Sequence, residues 1–168
     1  MKQAVMADSM GASLKTNHPK PEWLKVKAPG GHNFLKIKEE LRKNSLFTVC
    51  EEARCPNIGE CWSGGTATFM LLGDVCTRGC KFCSVTTGNP KAQFDPHEPE
   101  KIAKTISGMD LRYIVLTSVD RDDMPDQGAG HFCETVKLVK EKSPSILVET
   151  LTPDWRGNLD CIRTMAES

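Results

Sequence analysis

The chain has 168 residues, with 22 Lys+Arg against 22 Asp+Glu and hence no net charge. That balance argues against a nucleic-acid binder, which normally carries a basic excess, and no apolar run approaches the roughly 18 residues of a membrane span. The eight cysteines follow no secretory leader pattern, so they read as reduced, metal-binding thiols rather than a disulfide framework.

The first 22 residues are polar, with Gly11, Pro19 and Pro21, and read as a flexible tail. Residues 1–43 hold nine Lys/Arg and four acids, a basic arm that is either a solvated tail or a surface for an acidic protein. Phe34, Ile37 and Leu41 are spaced i, i+3, i+7 and predict an amphipathic helix over 33–44. The Cys50–Cys61 stretch contains Pro56 and precedes Gly64 and Gly65, so it is expected as a loop with a turn of helix at most. Residues 23–65 form an N-terminal extension on this reading.

From Thr66 the pattern turns to alternating β and α. Residues 66–73, 112–118 and 145–151 are nearly continuous apolar, β-prone runs, expected as strands buried on both faces. A long loop, 74–97, follows the first. Pro99 suits a first helical turn, with Ile102, Ile106 and Met109 on one face. Phe132, Val136 and Val139 mark a second helix. A third opens at Asn158, with Leu159, Ile162 and Met165 expected inward. Three βα units imply an α/β fold with a parallel sheet, but too few strands to close a barrel. Residues 66–168 are therefore expected to be an incomplete (β/α) barrel with an uncovered apolar edge.

Six cysteines fall in two triplets. Cys50, Cys55 and Cys61 form C-x4-C-x5-C; Cys76, Cys80 and Cys83 form C-x3-C-x2-C. Three thiolates fall one short of a closed zinc or iron–sulfur site, so each triplet leaves a coordination position for something other than cysteine. The second triplet leaves the C-terminal end of the first strand, where active sites of parallel α/β proteins collect. Phe82 is placed to shield a cluster there. The competing reading is a zinc knuckle, with His97 as the nearest fourth donor.

The segment Cys76-Thr-Arg-Gly-Cys80-Lys-Phe-Cys83 resembles the radical S-adenosylmethionine superfamily. Thr48-Val-Cys50-Glu-Glu-Ala-Arg-Cys55-Pro-Asn-Ile-Gly-Glu-Cys61-Trp62 narrows the resemblance to the lipoyl synthase family. Pro21-Glu-Trp-Leu-Lys25, the stretch 115–123 and Leu151-Thr-Pro-Asp-Trp-Arg-Gly157 agree with it. The resemblance implies a radical S-adenosylmethionine sulfurtransferase of partial (β/α) barrel fold. Such an enzyme inserts two sulfur atoms at C6 and C8 of an octanoyl chain on a carrier protein. It implies a four-iron cluster on Cys76, Cys80 and Cys83 that binds S-adenosylmethionine, the source of a 5′-deoxyadenosyl radical. A second such cluster on Cys50, Cys55 and Cys61 is implied as the sulfur donor, and a low-potential electron donor of ferredoxin or flavodoxin type as a partner. The implied compartment is the cytoplasm, or the mitochondrion or plastid in a eukaryote. The family's fourth ligand to the second cluster is a serine in an Arg-Ser-Ser context that this chain does not contain. About three more βα units, roughly the last two-fifths of a member, are expected beyond residue 168. A non-catalytic remnant and a zinc-binding interaction module are the alternatives.

Among the remaining residues, Thr117, Ser118, Asp120, Arg121, Asp122 and Asp123 follow the second strand. The resemblance implies that this position contacts the amino group of S-adenosylmethionine; carboxylates there suit the ammonium and hydroxyls the carboxylate, with Ser118 and Asp120 the foremost cofactor contacts, and a charged loop paired with itself is the alternative. Glu149, inside the third strand, is either a strand-end residue in water or a buried carboxylate needing a cofactor hydroxyl or Arg121. Arg54 and Arg78 flank cysteines and suit tuning of the thiolates. Trp62 packs over the first triplet or in the core. Cys133 and Cys161 read as core residues. No residue is assigned a catalytic acid–base role.

Overall fold

The computed structural model describes residues 21–25 and 28–168; the expected tail over 1–22 lies almost wholly outside them. The first regular element after a short 3-10 turn at Glu22–Leu24 is α1, His32–Asn44. It buries Phe34, Ile37 and Leu41, the stripe read from the sequence. Ser45 closes it in a left-handed conformation, its N–H and that of Leu46 returning to the carbonyls of Arg42 and Leu41.

A four-stranded sheet follows, in the order β1 (Phe47–Thr48), β2 (Thr66–Leu71), β5 (Tyr113–Ser118), β6 (Leu147–Leu151). The β2, β5 and β6 strands run parallel, as their βα spacing requires, and β1 adds antiparallel to the edge of β2. The crossover helices are α4 (Glu98–Ser107) and α5 (Ala129–Lys142). Ile102, Ile106, Phe132 and Val139 from these helices share one core with Ala67, Phe69, Leu71, Ile114 and Leu116, which stand on a single sheet face.

The opposite face is covered only near β1. Its rows, Thr66–Tyr113–Leu147, Thr68–Val115–Glu149 and Met70–Thr117–Leu151, open towards β6. There Leu147 and Leu151 are 65% and 60% exposed. The third strand is therefore not buried on both faces: among the described residues it is the last strand of the sheet.

Three local expectations change. The Cys50–Cys61 stretch is two short helices, α2 (Val49–Glu52) and α3 (Ile58–Ser63). Thr48 caps α2 by accepting the Cys50 N–H at 3.2 Å, and α3 is pinned by Trp62, fully buried 5.1 Å from Phe34 between ring centroids. Gly59 lets α3 approach the chain at Pro29, where a Cβ would lie 2.8 Å from Pro29 Cα. The long loop after β2 contains a small parallel ladder, β3 (Val75–Cys76) with β4 (Thr86–Thr87). Finally, α6 (Leu159–Ala166) turns Cys161 and Met165 inward against Trp155 and leaves Leu159 and Ile162 70% and 42% exposed.

Candidate functional site

Because β2, β5 and β6 are parallel, the loops that leave them gather at one edge of the sheet. The first of these loops carries the second cysteine triplet. Leu72 and Gly73, both left-handed, turn the chain out of β2. The β3–β4 ladder then closes the loop, reinforced by the Gly88 N–H on the Cys76 carbonyl at 2.9 Å. Cys76 is buried at the base; Cys80 and Cys83 lie exposed at the tip, joined by the Cys83 N–H on the Cys80 carbonyl at 3.0 Å. Phe82 is 93% exposed and shields nothing here.

The Cys76 sulfur accepts two backbone N–H groups, from Arg78 at 3.4 Å and Asp120 at 3.3 Å. Its own S–H points at Asp120 Oδ2, 3.8 Å away. Asp120 is therefore the acidic residue that meets the cysteine loop. Burial pushes its carboxyl up, the Arg78 guanidinium opposes this, and the charges of Asp122 and Asp154 add to the rise.

Arg78 ties three strand-end loops together. It grips Asp122 through Nε and Nη2, both at 2.9 Å, reaches Asp154 at 2.7 Å, and faces Asp120 at 3.6 Å. Arg156 adds a second cation to Asp122 at 3.0 Å. The hydrogen bond from Arg78 holds the Asp122 carboxyl down to about 2, and the same bond raises the guanidinium above its ordinary value. Asp123 is taken by the fully buried Arg121, with two contacts of 2.9 Å. Of the acidic run after β5, Asp123 is thus paired within the run, by Arg121, whereas Asp122 is taken by Arg78 and Arg156 from other loops.

Ser118 ends β5 with its hydroxyl buried and, among the described residues, without a hydrogen-bond partner. Glu149 is exposed on the open sheet face and accepts the Tyr113 hydroxyl; it does not pair with Arg121. The roles of Arg78, Asp154 and Arg156 together were missed. Their signal was the cation between two cysteines of one strand-end loop, facing acids in the next two.

The first triplet is built differently. Cys50 sits in α2, Cys55 in the turn beyond it, and Cys61 in α3, all half-buried. The Cys55 N–H returns to the Cys50 carbonyl at 3.0 Å, through a left-handed Arg54. Burial pushes the Cys61 thiol up, and the neighbouring Cys50 and Cys55 push it further, so the three sulfurs share one electrostatic neighbourhood. A cavity of about 470 Å³ lies beside α3, walled by Pro56, Asn57, Gly59, Glu60, Ser63 and Lys25; none of the three cysteines lines it.

All eight cysteines are free. Two three-thiolate sets, one with a sulfur already taking two N–H donors, suit iron–sulfur ligation, in which N–H donors to sulfur tune the cluster. Among the described residues no three His, Cys, Asp or Glu converge on a point that could hold a metal ion, and neither cysteine triplet is an exception; the donor type, not a gathered geometry, is what the thiols supply for iron or for zinc. Cys161 is buried and Cys133 half-buried, outside both sets.

Comparison with known proteins places this geometry in a class. The family model of the Radical SAM superfamily (SAM, S-adenosylmethionine) matches residues 70–168, and the chain belongs to that superfamily. Membership implies one four-iron cluster and S-adenosylmethionine. A second model, the N-terminal domain of lipoyl synthase, matches residues 3–55. The chain is 60% identical over 153 residues to the mitochondrial lipoyl synthase of Culex quinquefasciatus, covering 88% of this chain and 40% of that one. It is 56% identical over 149 residues to the lipoyl synthase of Halorhodospira halophila, covering 89% and 45%. That of Deinococcus radiodurans is 54% identical over 156 residues, covering 93% and 47%. The chain thus spans less than half the length of these relatives, so more than the expected two-fifths of each lies outside the match.

Proposed function

We propose that this chain is the cluster-bearing portion of a lipoyl synthase, which inserts two sulfur atoms at C6 and C8 of an octanoyl chain amide-linked to a carrier protein. The observation that carries the reading is the pair of free cysteine triplets, both lying within stretches 54–60% identical to lipoyl synthases. Cys76, Cys80 and Cys83 would hold one four-iron cluster and Cys50, Cys55 and Cys61 a second. With S-adenosylmethionine and one electron, such a centre supplies the homolytic chemistry that removes hydrogen from unactivated carbon, beyond the reach of side-chain acids and bases.

The chain's own residues prepare the site. Cys76 is held at the base of its loop by the Arg78 and Asp120 N–H groups. Asp120, the carboxylate nearest that sulfur, is offered to the cofactor's ammonium. Ser118, whose buried hydroxyl has no partner among the described residues, is offered to its carboxylate, and Glu149 to a cofactor hydroxyl. Arg78 pairs closely with Asp122 and Asp154, and Arg121 with Asp123, leaving Asp120, the acid Arg78 holds most loosely, to meet a cationic cofactor. The open sheet face is the inner wall of a partial (β/α) barrel.

The partners on this reading are an octanoylated carrier domain and a low-potential donor of ferredoxin or flavodoxin type. The setting is the cytoplasm or, in a eukaryote, the mitochondrion or plastid; the Culex relative is a mitochondrial lipoyl synthase. No helix among the described residues is long and apolar enough to cross a membrane.

Anaerobic reconstitution with iron and sulfide tests the proposal. The expected product is brown, with about eight irons per chain, and with a strong reductant forms 5′-deoxyadenosine from S-adenosylmethionine. Two zinc ions in a colourless protein that takes up no iron would overturn it.

A further inference from the structure

Leu72 is a backbone outlier at the most consequential turn of the chain. It is non-glycine, left-handed at φ +67°, and lies between the end of β2 and the cysteine loop. Residues held in such conformations persist where their surroundings over-determine them, often beside functional sites. Every part of Leu72 is held. Its N–H donates to Glu98 Oε2 at 2.8 Å, and its carbonyl accepts Arg121 Nη1 at 3.3 Å. Its buried side chain rests on Gly128, where a Cβ would come 2.2 Å from Leu72 Cδ1.

The holders are themselves fixed. Glu98 is buried in the first turn of α4 and meets His131 Nε2 of α5 at 2.7 Å. Arg121 is fully buried, bound by Asp123 and by the Gln93 carbonyl at 2.9 Å. Buried charges are costly unless engaged, and here both are engaged by the one turn. Arg121 directly follows Asp120, whose N–H reaches the Cys76 sulfur. The loop that grips Leu72 therefore also grips Cys76, four residues on.

We propose that Glu98, His131, Arg121 and Gly128 form a socket that locks Leu72 in its left-handed conformation and thereby sets where the Cys76–Cys83 loop leaves the sheet. They are positioning residues for the loop. The proposal rests on reading Cys76, Cys80 and Cys83 as the cluster set, but its test reads the loop itself.

The full chain, purified without added iron, is alkylated with iodoacetamide, and each cysteine is followed by mass spectrometry. Cys61, half-buried in α3 and away from this turn, is the internal control for general unfolding. In Glu98→Leu, which removes the contacts of that carboxylate with both the Leu72 N–H and His131, labelling of Cys76 is expected to rise by at least about tenfold, with Cys61 unmoved. Gly128→Ala should do the same by displacing the Leu72 side chain. Glu98→Gln, which keeps an acceptor, should show a clearly smaller rise than Glu98→Leu. Cys76 unchanged in both disrupting variants, or rising in step with Cys61, overturns the socket, as does a glutamine variant that behaves like leucine. If the leucine variant does not fold, Gly128→Ala alone decides by the same ratio. Failure to load iron would instead count against the cluster reading and leave the labelling result standing.

Discussion

The two cysteine triplets hold the same number of thiols on opposite kinds of support. The first rides on α2 and α3, short helices fixed by apolar packing around Trp62 and Phe34. The second hangs on a loop whose anchors are charged: Arg78 with Asp122 and Asp154 on one side, Arg121 and Glu98 with Leu72 on the other. Packing fixes a scaffold whatever the ionic conditions, whereas ion pairs and charge-assisted hydrogen bonds fix it only while their groups stay ionised. The first triplet should therefore respond to cavities and the second to charge and pH.

The largest effect separates the triplets outright. Alanine at Cys76, Cys80 and Cys83 together should reduce the reconstituted iron from about eight to about four per chain, and alanine at Cys50, Cys55 and Cys61 should do the same. The first variant should also lose all 5′-deoxyadenosine formation, and the second should retain it. Iron analysis with product chromatography checks both. Loss of all iron in either variant would mean that the two supports are not independent.

Next comes the packed support. Trp62→Ala empties a fully buried indole site and should cost about 3–5 kcal/mol in denaturant unfolding. Below the unfolding transition, alkylation should speed at Cys50, Cys55 and Cys61 and stay constant at Cys76. For the charged support, Arg78→Ala leaves Asp122 with Arg156 as its remaining cation and should cost about 1–2 kcal/mol. Its footprint should be the reverse, with Cys76 exposed and Cys61 unchanged. Arg78→Lys keeps the charge but not the two-pronged grip on Asp122, and should fall between.

The same contrast explains how much was legible beforehand. Apolar patterns were readable: the α1 stripe and the three parallel strands follow from spacing alone, because burial of such faces drives the fold. The short helices α2 and α3 were not, since Pro56, Gly64 and Gly65 punctuate the stretch. Helices of four and six residues are far below self-supporting length; the Thr48 cap and Trp62 sustain them. In α6 the expected inward set was Leu159, Ile162 and Met165, but periodicity reports a stripe without naming its partner. Met165 packs inward beside Cys161, which the sequence already placed in the core, while Leu159 and Ile162 face out. The roles of Arg121 and Glu98 could not be read at all, because charged residues are seldom fully buried and nothing in sequence marks the exceptions. Within the site, the cysteines and Asp120 stood out by motif and strand-end position. The Arg78 network needed the three loops brought to one edge before its partners could be named.

The smallest effect is a pH profile in which two neighbouring carboxyls act in opposite directions. Asp122 is held at about 2, below the ordinary 3.8, chiefly by the Arg78 hydrogen bond. A carboxyl depressed in the folded state stabilises fully above its unfolded value and loses that contribution as pH falls through about 2. After solvent screening the loss should be about 1 kcal/mol. Asp120 is raised above 3.8, chiefly by burial, so the folded chain binds its proton more readily than the unfolded chain. Acidification from neutrality should first relieve the strain at Asp120, then remove the support at Asp122. Stability measured by urea unfolding should therefore pass through a shallow rise above pH 4 before falling towards pH 2. Asp120→Asn should flatten the rise and Asp122→Asn the fall. If the fall survives Asp122→Asn, the acid lability belongs to the other depressed carboxyls: Asp154, held low by the Arg156 N–H and by Arg78, or Asp95 and Asp123, held low by Lys101 and Arg121. Survival in Asp122→Asn with Asp154→Asn as well would extend the charged support beyond Arg78.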